Sequence, residues 1–465
     1  MQGTYDVAVV GAGPGGYVAA LRAAQLGLRT LLVEKDSLGG ICLNWGCIPT
    51  KAMLKGAEVL HTCREASRYG VQLQGLSFDI AALVRHSRQV SGTLVQGVAY
   101  LLKKQGVTVL SGTARMVNKG QLEVDCDGSL QQVRARHIVL ATGARARALP
   151  GVAFGTPGIW SYREALQPDT LPQSLVIAGS GAIGAEFASL YSDLGVQVTL
   201  LERATRIMPL EDADVSQYMR TQFEARDIQV HTGVSLEQAA PVTAGVECQL
   251  LHEDGKRQRI TAERLLLAAG VTPNVEGLGL EQLGVTMAGG FVAVDQWCRT
   301  NVAGLYAIGD LAGGPCLAHK ASHQAVVCIE RLAGVEQVEP LDHSLIPSCV
   351  YSRPQVASVG LTEQQARLQG LPVRIGRFNL QANGKALASG DASGFVKTVV
   401  AADTGEILGA HLVGHEVTEQ IHLLALAQQL EAGDEDLART IFAHPTLSEA
   451  IHESMLHALG RPLHQ

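Results

Sequence analysis

The chain has 465 residues, which is too many for one hydrophobic core and predicts about three domains. Hydrophobic residues make up 46% of it and charged residues 17%, a composition that favours close-packed α/β layers over disorder. The formal net charge of −7 and the absence of a long Lys/Arg run argue against nucleic acid as a partner. No stretch of sequence approaches the ~18 uninterrupted apolar residues of a membrane span, so no membrane partner is expected.

The nine cysteines are scattered and odd in number, which argues against the disulfide framework of a secreted protein. A reducing compartment fits this pattern better. The sequence runs almost at once into an apolar strand over residues 5–10, with no basic leader or cleavage site. We therefore expect a soluble protein of the cytoplasm.

A glycine-rich loop follows this first strand and precedes an apparent helix. The loop carries Gly11, Gly13 and Gly16, and a second strand over 30–33 leads to Glu34, 23 positions after Gly11. This spacing is close to the ~20 residues expected before an acidic residue that hydrogen-bonds an adenosine ribose. The glycines permit a tight turn, close approach of backbone N–H groups to a pyrophosphate, and close packing of helix on strand. The segment predicts a dinucleotide site.

A pair of cysteines, Cys42 and Cys47, comes shortly after this loop. Four intervening residues are a poor spacing for zinc or an iron–sulfur cluster without a second cysteine pair nearby, so no metal site is expected. Pro49 suits the first turn of a helix, and a helix N-terminus and the ammonium of Lys51 both favour a reactive thiolate. The segment therefore favours a redox-active disulfide over the plainer interpretation, two buried structural thiols.

The glycine pattern recurs in the middle of the chain. An apolar strand over 174–178 leads into Gly179, Gly181 and Gly184, and Glu202 again follows the first glycine by 23 positions. One such loop is weak evidence, but two in the same strand–loop–helix context predict two dinucleotide sites. Two sites in one chain indicate two cofactors that exchange electrons.

Later apolar strands are predicted to complete the two sheets: 138–141 before Thr142 and Gly143, 265–269 before Gly270, and 300–310, which ends in Asp310. The acidic end of the last strand suits a hydrogen bond to a flavin ribityl or phosphate group. The first nucleotide domain is thus predicted to be interrupted by the second and completed after it.

These motifs together resemble the pyridine nucleotide–disulfide oxidoreductases, and within that family most closely the enzymes that act on dihydrolipoyl groups. The resemblance covers nearly the whole chain and is most specific in the cysteine segment and over 306–310, 317–321 and 444–446. It implies an α/β fold with two Rossmann-like domains, one for FAD and one for NAD, and a C-terminal α+β interface domain that makes a homodimer. The implied domains are an FAD domain with the redox disulfide over 1–148, an NAD domain over 149–270, a segment over 271–340 that completes the FAD domain, and the interface domain over 341–465.

The resemblance also implies roles for individual residues. FAD would be held by Gly11, Gly13, Gly16, Glu34, Lys51, Thr142, Gly143, Asp310 and Ala318, and NAD by Gly179, Gly181, Gly184, Glu202 and Gly270. Cys47 would lie against the flavin as the charge-transfer thiol and Cys42 would meet the substrate, while Lys51 would sit near flavin N5, paired with Glu186. Electrons would pass from a protein-bound dihydrolipoyl group through the Cys42–Cys47 disulfide and FAD to NAD+. The partner would be the lipoyl domain of a multienzyme complex or another lipoylated carrier.

Among the 15 histidines, His444 is singled out by its place before Pro445 and shortly before Glu449. The resemblance implies that His444 is the catalytic acid–base, oriented by Glu449, and that it serves the disulfide of the partner subunit. Histidine suits proton transfer near neutral pH. The stretch from Thr446 to Glu449 also matches a helix capping box, which gives Glu449 a second, structural interpretation.

Three other functions share some of these motifs but predict different residues elsewhere. A glutathione-type reductase would normally prefer NADPH, whose 2′-phosphate Glu202 repels, although Arg203 follows directly. A mercuric reductase would add a C-terminal cysteine pair, which residues 459–465 lack. A flavoprotein partner or scaffold without disulfide turnover would need neither the cysteine pair nor His444.

The sequence departs from the family pattern at several positions. Ile41 stands where many relatives have Thr, Trp45 where Val or Ile is frequent, and Cys316 where Met is common; Val271 and Thr272 follow Gly270 where many relatives carry Arg. None of these changes removes a chemical group that the reaction needs.

Overall fold

The computed structural model describes residues 4–464, and it divides the chain into two compact units. The first unit comprises Met1–Met53, Asp79–Arg147 and Val271–Leu341, and the second comprises Leu54–Phe78, Ala148–Gly270 and Asp342–Gln465. The predicted outer domain limits, residues 1 and 465, lie outside the described residues. The finer division into four segments stays a prediction.

The strands, numbered in chain order, are β1 (Thr4–Val10), β2 (Thr30–Glu34), β3 (Thr108–Ser111), β4 (Thr113–Asn118), β5 (Gln121–Cys126), β6 (Ser129–Leu140), β7 (Ala144–Ala146), β8 (Ile159–Trp160), β9 (Ser174–Ala178), β10 (Gln197–Leu201), β11 (Gln229–His231), β12 (Val234–Val242), β13 (Gly245–His252), β14 (Arg257–Ala262), β15 (Arg264–Leu267), β16 (Val271–Pro273), β17 (Met287–Ala288), β18 (Phe291–Val292), β19 (Leu305–Ala307), β20 (Ser348–Val350), β21 (Gln355–Gly360), β22 (Val373–Asn379), β23 (Phe395–Ala401) and β24 (Ile407–Gly414).

The α-helices are α1 (Pro14–Gln25), α2 (Gly40–Trp45), α3 (Cys47–Arg64), α4 (Ile80–Lys104), α5 (Tyr162–Leu166), α6 (Ala182–Asp193), α7 (Ala213–Glu224), α8 (Ala318–Ala333), α9 (Glu363–Leu368), α10 (Gly384–Ala388), α11 (Val417–Gln429), α12 (Asp434–Arg439) and α13 (Glu449–Ala458). Short 3₁₀ helices cover Ala66–Tyr69, Glu281–Leu283, Gly309–Ala312, His343–Leu345 and Leu380–Ala382.

The first unit is built on a seven-stranded sheet in the order β3-β2-β1-β6-β5-β4, with β19 also paired to β6. Its centre is parallel, and β4 and β5 add an antiparallel extension. Alternate residues of β1 enter two cores, Val7 and Val9 one of them, Ala8 and Val10 the other. Because both faces are buried, the strand is an unbroken apolar run, as expected for a parallel sheet.

The register of this sheet brings the nucleotide motif together. Val10 lies opposite both Val33 and Leu140, so β1, β2 and β6 end at the same edge. Gly11 and Glu34 therefore meet at the carboxyl ends of the strands, which is where open α/β sheets bind ligands.

The second unit contains a parallel sheet in the order β11-β10-β9-β15-β8, with Ala178 opposite both Leu201 and Leu267. The same unit has a three-stranded antiparallel sheet, β12-β13-β14, and a five-stranded antiparallel sheet, β20-β21-β24-β23-β22. Helix α11 packs on β21 and β24, and α13 packs on β22 and β23, around one apolar core. The predicted α/β class, with two dinucleotide-binding sheets and a C-terminal α+β part, is confirmed.

The strand predicted over 300–310 is wrong in its length. Only Leu305–Ala307 pairs with β6, and Asp310 lies in the 3₁₀ turn that follows. The apolar residues before Leu305 belong to a turn, not to the strand, because the Thr300 N–H and hydroxyl both donate to the Leu305 carbonyl.

None of the helices within residues 4–464 has an apolar stretch of sufficient length to span a bilayer.

Candidate active site

The first glycine loop has two glycines that the chain itself requires and one that faces open space. Gly11 has φ +97°, and a Cβ there would lie 2.4 Å from the Ala141 carbonyl oxygen. A Cβ on Gly16 would lie 1.8 Å from the carbonyl oxygen of Gly11, whereas one on Gly13 would meet no described atom within 4 Å. Gly13 is also the N-cap of α1. The open space at a helix N-terminus suits a phosphate group, so the residues present fit a dinucleotide.

Glu34, at the end of β2, is tied to this loop. Its Oε2 accepts a hydrogen bond from the Ala12 N–H at 2.6 Å, and its Oε1 accepts one from the Asp36 N–H at 2.8 Å. The carboxylate is therefore held beside the loop, where the sequence predicts a residue that hydrogen-bonds a ribose.

The second loop, in the second unit, repeats this geometry. Gly179 has φ +107°, and its Cβ would lie 2.5 Å from the Ala268 carbonyl oxygen. A Cβ on Gly184 would lie 1.8 Å from the Gly179 carbonyl oxygen, and one on Gly181 would meet no described atom within 4 Å. Gly270 follows β15 with φ +100°. The two loops thus have the same required glycines and the same open position.

The cysteine pair lies on two successive helices of unequal length. Cys42 is the third residue of α2 and Cys47 is the first of α3, with Pro49 in the first turn of α3 and a break at Gly46 between the helices. Both sulfurs are in the reduced, thiol form and they are hydrogen-bonded to each other. The hydrogen bond to Cys47, with burial, raises the pKa of Cys42 well above its usual value, although the charge of Lys51 opposes this.

The cysteine segment packs directly on the first glycine loop. The Gly39 N–H donates to the Ala12 carbonyl at 2.8 Å, and a Cβ on Gly40 would lie 2.7 Å from the Cα of Gly13. Gly39 and Gly40 have φ +85° and +58°, which glycine adopts without strain. The dithiol is thereby built onto the loop that would hold the phosphates.

Arg88 of α4 holds the end of α2 through contacts that no sequence motif indicates. Its Nη1 donates to the Asn44 carbonyl at 2.6 Å, and its guanidinium lies 4.9 Å from the centroid of the Trp45 ring. The Asn44 side chain in turn donates to the carbonyls of Leu38 and Gly40, both at 2.9 Å. The residues between the two cysteines are therefore anchored at both ends of α2.

The turn that carries Asp310 is fixed by a buried lysine. Lys320 is 1% exposed, and its Nζ donates to the carbonyls of Gly309 at 3.1 Å and Gly313 at 2.6 Å. The Gly309 N–H in turn donates to Oε1 of Gln324 at 2.9 Å. Burial raises the pKa of Asp310 and lowers that of Lys320, and each charge partly offsets the effect on the other.

Three further predicted flavin positions lie in the same unit. Thr142 donates from Oγ1 to the Asn274 carbonyl at 2.8 Å, and the Asn274 N–H donates to the Gly143 carbonyl at 2.9 Å. Ala318 is the first residue of α8, which packs on α1. These contacts fix the turn after β6 and place the start of α8.

His444 and Glu449 form a pair in the second unit. The His444 Nδ1 lies 2.9 Å from Glu449 Oε1, and the His444 side chain is 78% exposed. Glu449 Oε2 accepts from the Thr446 N–H at 2.8 Å. Burial raises the pKa of Glu449, but the hydrogen bonds from Thr446 and His444 outweigh it and leave the pKa below its usual value.

The capping box predicted from Thr446 to Glu449 is half formed: the Glu449 carboxylate accepts the Thr446 N–H, but Thr446 is not the N-cap of the helix. Helix α13 begins at Glu449 with Ser448 as its N-cap, and the Thr446 hydroxyl donates to the Ala443 carbonyl at 2.8 Å. Glu449 therefore braces the turn before the helix and orients His444 at the same time.

The structure brings the predicted residues together in two groups. The first unit holds the cysteines, Lys51 and the flavin positions, and the second holds the second loop, Glu202, Glu186 and the His444 pair. Glu186, 6% exposed on α6, accepts a hydrogen bond from the Tyr351 N–H at 3.0 Å. The described residues include no group of three or more His, Cys, Asp or Glu placed to hold a metal ion.

Comparisons with known proteins agree with this geometry. The family model for pyridine nucleotide-disulphide oxidoreductases matches residues 5–325, and the model for their dimerisation domain matches residues 346–455. The chain is 50% identical over 465 residues to a dihydrolipoyl dehydrogenase of Zymomonas mobilis and 47% identical over 479 residues to one of Rhizobium etli, with 100% of each chain covered. The crystal structure of LpdA from Mycobacterium tuberculosis matches with a TM-score of 0.89 and 27% identity, covering 97% of this chain and 99% of LpdA.

Proposed function

The chain belongs to the pyridine nucleotide-disulphide oxidoreductase family, and we propose that it oxidises protein-bound dihydrolipoamide to lipoamide, with NAD+ as the electron acceptor. The observation that carries this proposal is the Cys42–Cys47 pair packed on the first glycine loop. A scaffold without disulfide turnover has no use for two hydrogen-bonded thiols at a dinucleotide site. The curated relatives aligned over the full chain support the choice of substrate.

The two cysteines have different roles in the exchange. A substrate thiolate attacks Cys42 Sγ of the disulfide, and the electron pair of the broken S–S bond stays on Cys47. The second substrate thiolate then closes the lipoyl disulfide and releases Cys42. The N-terminus of α3 favours a negative sulfur at Cys47, and the raised pKa of Cys42 favours its protonated form in the dithiol.

His444 supplies the base for this exchange. The thiolate is the nucleophile in disulfide exchange, so each substrate thiol must lose its proton first. Because Nδ1 of His444 is engaged by Glu449, Nε2 is the ring nitrogen that takes the proton. The resulting imidazolium is stabilised by the Glu449 carboxylate.

The family uses FAD and NAD, and the packing of the cysteine segment on the first loop supports FAD in the first loop and NAD in the second. When bound, FAD supplies the two-electron link between the dithiol and NAD+. Glu34, Lys51, Thr142, Gly143, Asp310 and Ala318 would hold FAD, and Glu202 and Gly270 would hold NAD with the second loop. We further propose that Glu186 pairs with Lys51.

We also propose a cytoplasmic homodimer that acts on the lipoyl domain of a carrier protein. The dimerisation-domain match includes His444 and Glu449. Leu426 on α11 and Leu430 just after this helix are 56% and 69% exposed, and Ile441 is 96% exposed. Exposed apolar side chains in this stretch support a covering subunit. The nine cysteines, scattered along the chain and odd in number, support a reducing compartment.

Steady-state kinetics test the proposal. The FAD-loaded protein should oxidise free dihydrolipoamide with NAD+, and oxidise reduced lipoyl domains, far faster than it reduces glutathione disulfide with NADPH. Cys42→Ser should abolish dihydrolipoamide turnover, while the control Cys63→Ser, on α3, should retain it. Preferred reduction of glutathione disulfide would identify a low-molecular-weight disulfide reductase, and no turnover of any disulfide would identify a scaffold.

A further inference from the structure

We propose that Ser180 is a positioning residue that sets the preference for NAD over NADP by fixing the carboxylate of Glu202. The inference rests on the proposed function, which assigns Glu202 to the ribose of NAD. Ser180 is fully buried in the second glycine loop, between Gly179 and Gly181. No motif required a hydroxyl at this position.

Ser180 donates two hydrogen bonds to the Glu202 carboxylate. Its N–H and its Oγ both donate to Glu202 Oε2, at 3.0 Å and 2.6 Å, while Oε1 accepts from the Ala204 N–H at 2.8 Å. The Ser180 hydroxyl also accepts a hydrogen bond from the Met208 N–H at 3.1 Å. The hydroxyl therefore joins the glycine loop, the end of β10 and the loop after Glu202 at one atom.

The other loop of the same chain shows what the hydroxyl adds. At the equivalent position the first loop has Ala12, and among the described residues Glu34 receives one hydrogen bond on each oxygen. A carboxylate offers about four lone-pair positions. Glu34 keeps one position free on each oxygen, whereas Ser180 fills the second position on Oε2 of Glu202 and leaves one on Oε1.

This arrangement explains discrimination at the 2′ position. Glu202 is free to accept a ribose hydroxyl on Oε1, but it cannot turn away from a 2′-phosphate without breaking a charge-assisted hydrogen bond from Ser180. The fixed negative charge then repels the phosphate despite the neighbouring, exposed Arg203. Without the hydroxyl, Glu202 can rotate outward, and the same loop accepts the phosphate more readily.

The test uses the FAD-loaded protein and redox-inert probes, ADP-ribose and 2′-phospho-ADP-ribose, whose binding is measured by calorimetry. Ser180→Ala should weaken ADP-ribose about tenfold, leave 2′-phospho-ADP-ribose unchanged or tighter, and raise KM for NAD+ with kcat within about twofold. Ser180→Cys, which fills the same space with a weaker donor, should give an intermediate loss. The control Ser192→Ala removes a hydroxyl from α6, the helix that follows the loop, and should change none of these values.

The Glu202→Ala variant tests the assignment of Glu202 to the NAD ribose separately from the positioning role of Ser180. Suppose that Glu202→Ala narrows the preference for ADP-ribose over 2′-phospho-ADP-ribose, while both Ser180 variants keep the wild-type ratio of the two affinities. The positioning role of Ser180 is then wrong, and the assignment of Glu202 stands. If Glu202→Ala leaves the ratio unchanged, the assignment itself fails, and the inference with it. Equal weakening of both probes by Ser180→Ala and Ser180→Cys would indicate general damage to the loop and overturn the inference.

Discussion

Cys42 and Cys47 are chemically identical side chains that the structure places in different surroundings. Cys47 begins a helix of 18 residues, while Cys42 lies within a helix of six, and its pKa is raised by the hydrogen bond to Cys47 and by burial. The positive end of a helix stabilises an adjacent negative charge. The asymmetry therefore comes from the backbone around each sulfur.

Replacement of each cysteine in turn should reveal this asymmetry. With FAD bound, Cys42→Ser should show long-wavelength charge-transfer absorbance, because Cys47 remains as a thiolate beside the oxidised flavin. Cys47→Ser should lack this band. Absorbance spectra at neutral pH measure the difference, and the band in Cys47→Ser alone would reverse the two roles.

Lys320 illustrates a second effect at this scale, a buried charge that shapes a binding turn. Lys320→Met should leave the Gly309 and Gly313 carbonyls without their donor and weaken FAD binding about tenfold, a loss typical of a hydrogen bond to a charged group. Titration of the FAD-free protein with FAD, followed by fluorescence quenching, gives the dissociation constant.

The chain offers a matched control in Lys397, which is 2% exposed and bonded to Asp212, Asp214 and Glu363 at 2.8 to 2.9 Å. Lys397→Met should lower the thermal midpoint but leave FAD affinity unchanged. Equal FAD affinities in the two variants would show that Lys320 has only a structural role.

Among the elements, α2 depends most on its neighbours. Six residues are too few for a stable isolated helix, so α2 is held by packing and by the bonds at its ends. Arg88 of α4 supplies the contact at its C-terminal end, through the Asn44 carbonyl and the Trp45 ring. The position of Cys42 therefore depends on a residue more than 40 positions away in sequence.

Removal of this contact should loosen α2 selectively. Arg88→Met should speed amide hydrogen exchange over residues 40–46 about tenfold, since a hydrogen bond to a charged group contributes at least that much. Arg85→Met is the control, because Arg85 lies on the same helix with its side chain 71% exposed and contacts Asp79 only at 3.6 Å. Unchanged exchange in Arg88→Met, measured by mass spectrometry, would show that α2 is held by other contacts.

The C-terminal sheet contains a histidine that should make the protein acid-sensitive. His411 on β24 is 1% exposed, and its Nε2 lies 3.0 Å from the Leu361 carbonyl oxygen. Burial lowers the pKa of His411 below its ordinary 6.5, although the charge of Asp212 opposes this. Below pH 6.5 the unfolded chain gains a proton that the folded chain does not, so the stability present above 6.5 is lost as the pH falls.

His411→Gln should therefore flatten the dependence of stability on pH. Between pH 7 and pH 5.5, urea unfolding should show a smaller loss of stability in this variant than in the wild type, by up to about 1.4 kcal/mol per pH unit. His422→Gln, which removes an exposed histidine of α11, should keep the wild-type dependence. Identical slopes in all three proteins would contradict the prediction.

At the scale of the whole molecule, the proposed dimer would bring His444 to the disulfide of the partner subunit. The side chain is largely exposed and oriented by Glu449, as expected for a base that acts on a group outside its own chain. His444→Gln should keep FAD and dimerisation but lose most lipoamide turnover, while reduction of an artificial acceptor by NADH survives.

Subunit mixing tests action across the dimer. A His444→Gln subunit and a Cys42→Ser subunit are each inactive towards lipoamide, but a heterodimer of the two contains one intact site. Activity should therefore recover once subunit exchange has been verified, for example by mass spectrometry of the native dimer. No recovery in verified heterodimers would place His444 in the site of its own chain.

The sequence by itself determined the two nucleotide sheets, both glycine loops, Glu34, Glu202 and the cysteine pair. These features are local: a strand, a tight turn and a helix N-terminus are specified by residues close together in the chain, and their spacing is imposed by backbone sterics. The required glycines, Gly11 and Gly16 in one loop, and the open one, Gly13, follow that rule.

Only the tertiary structure decided which side chains support those motifs. Arg88 and Ser180 carry no sequence signal of their own, and the segment 317–321 does not reveal which groups Lys320 bonds. Lysine, arginine and serine are usually exposed, and the partners of these three side chains are carbonyls or carboxylates of other segments. Two local predictions also needed the structure. The strand over 300–310 is shorter than predicted because Thr300 and Leu305 close a turn, and the capping box at Thr446 is half formed because the Thr446 hydroxyl bonds to Ala443. Local sequence fixes where a ligand's phosphates can bind, but the burial of a polar group depends on which distant residue satisfies its hydrogen bonds.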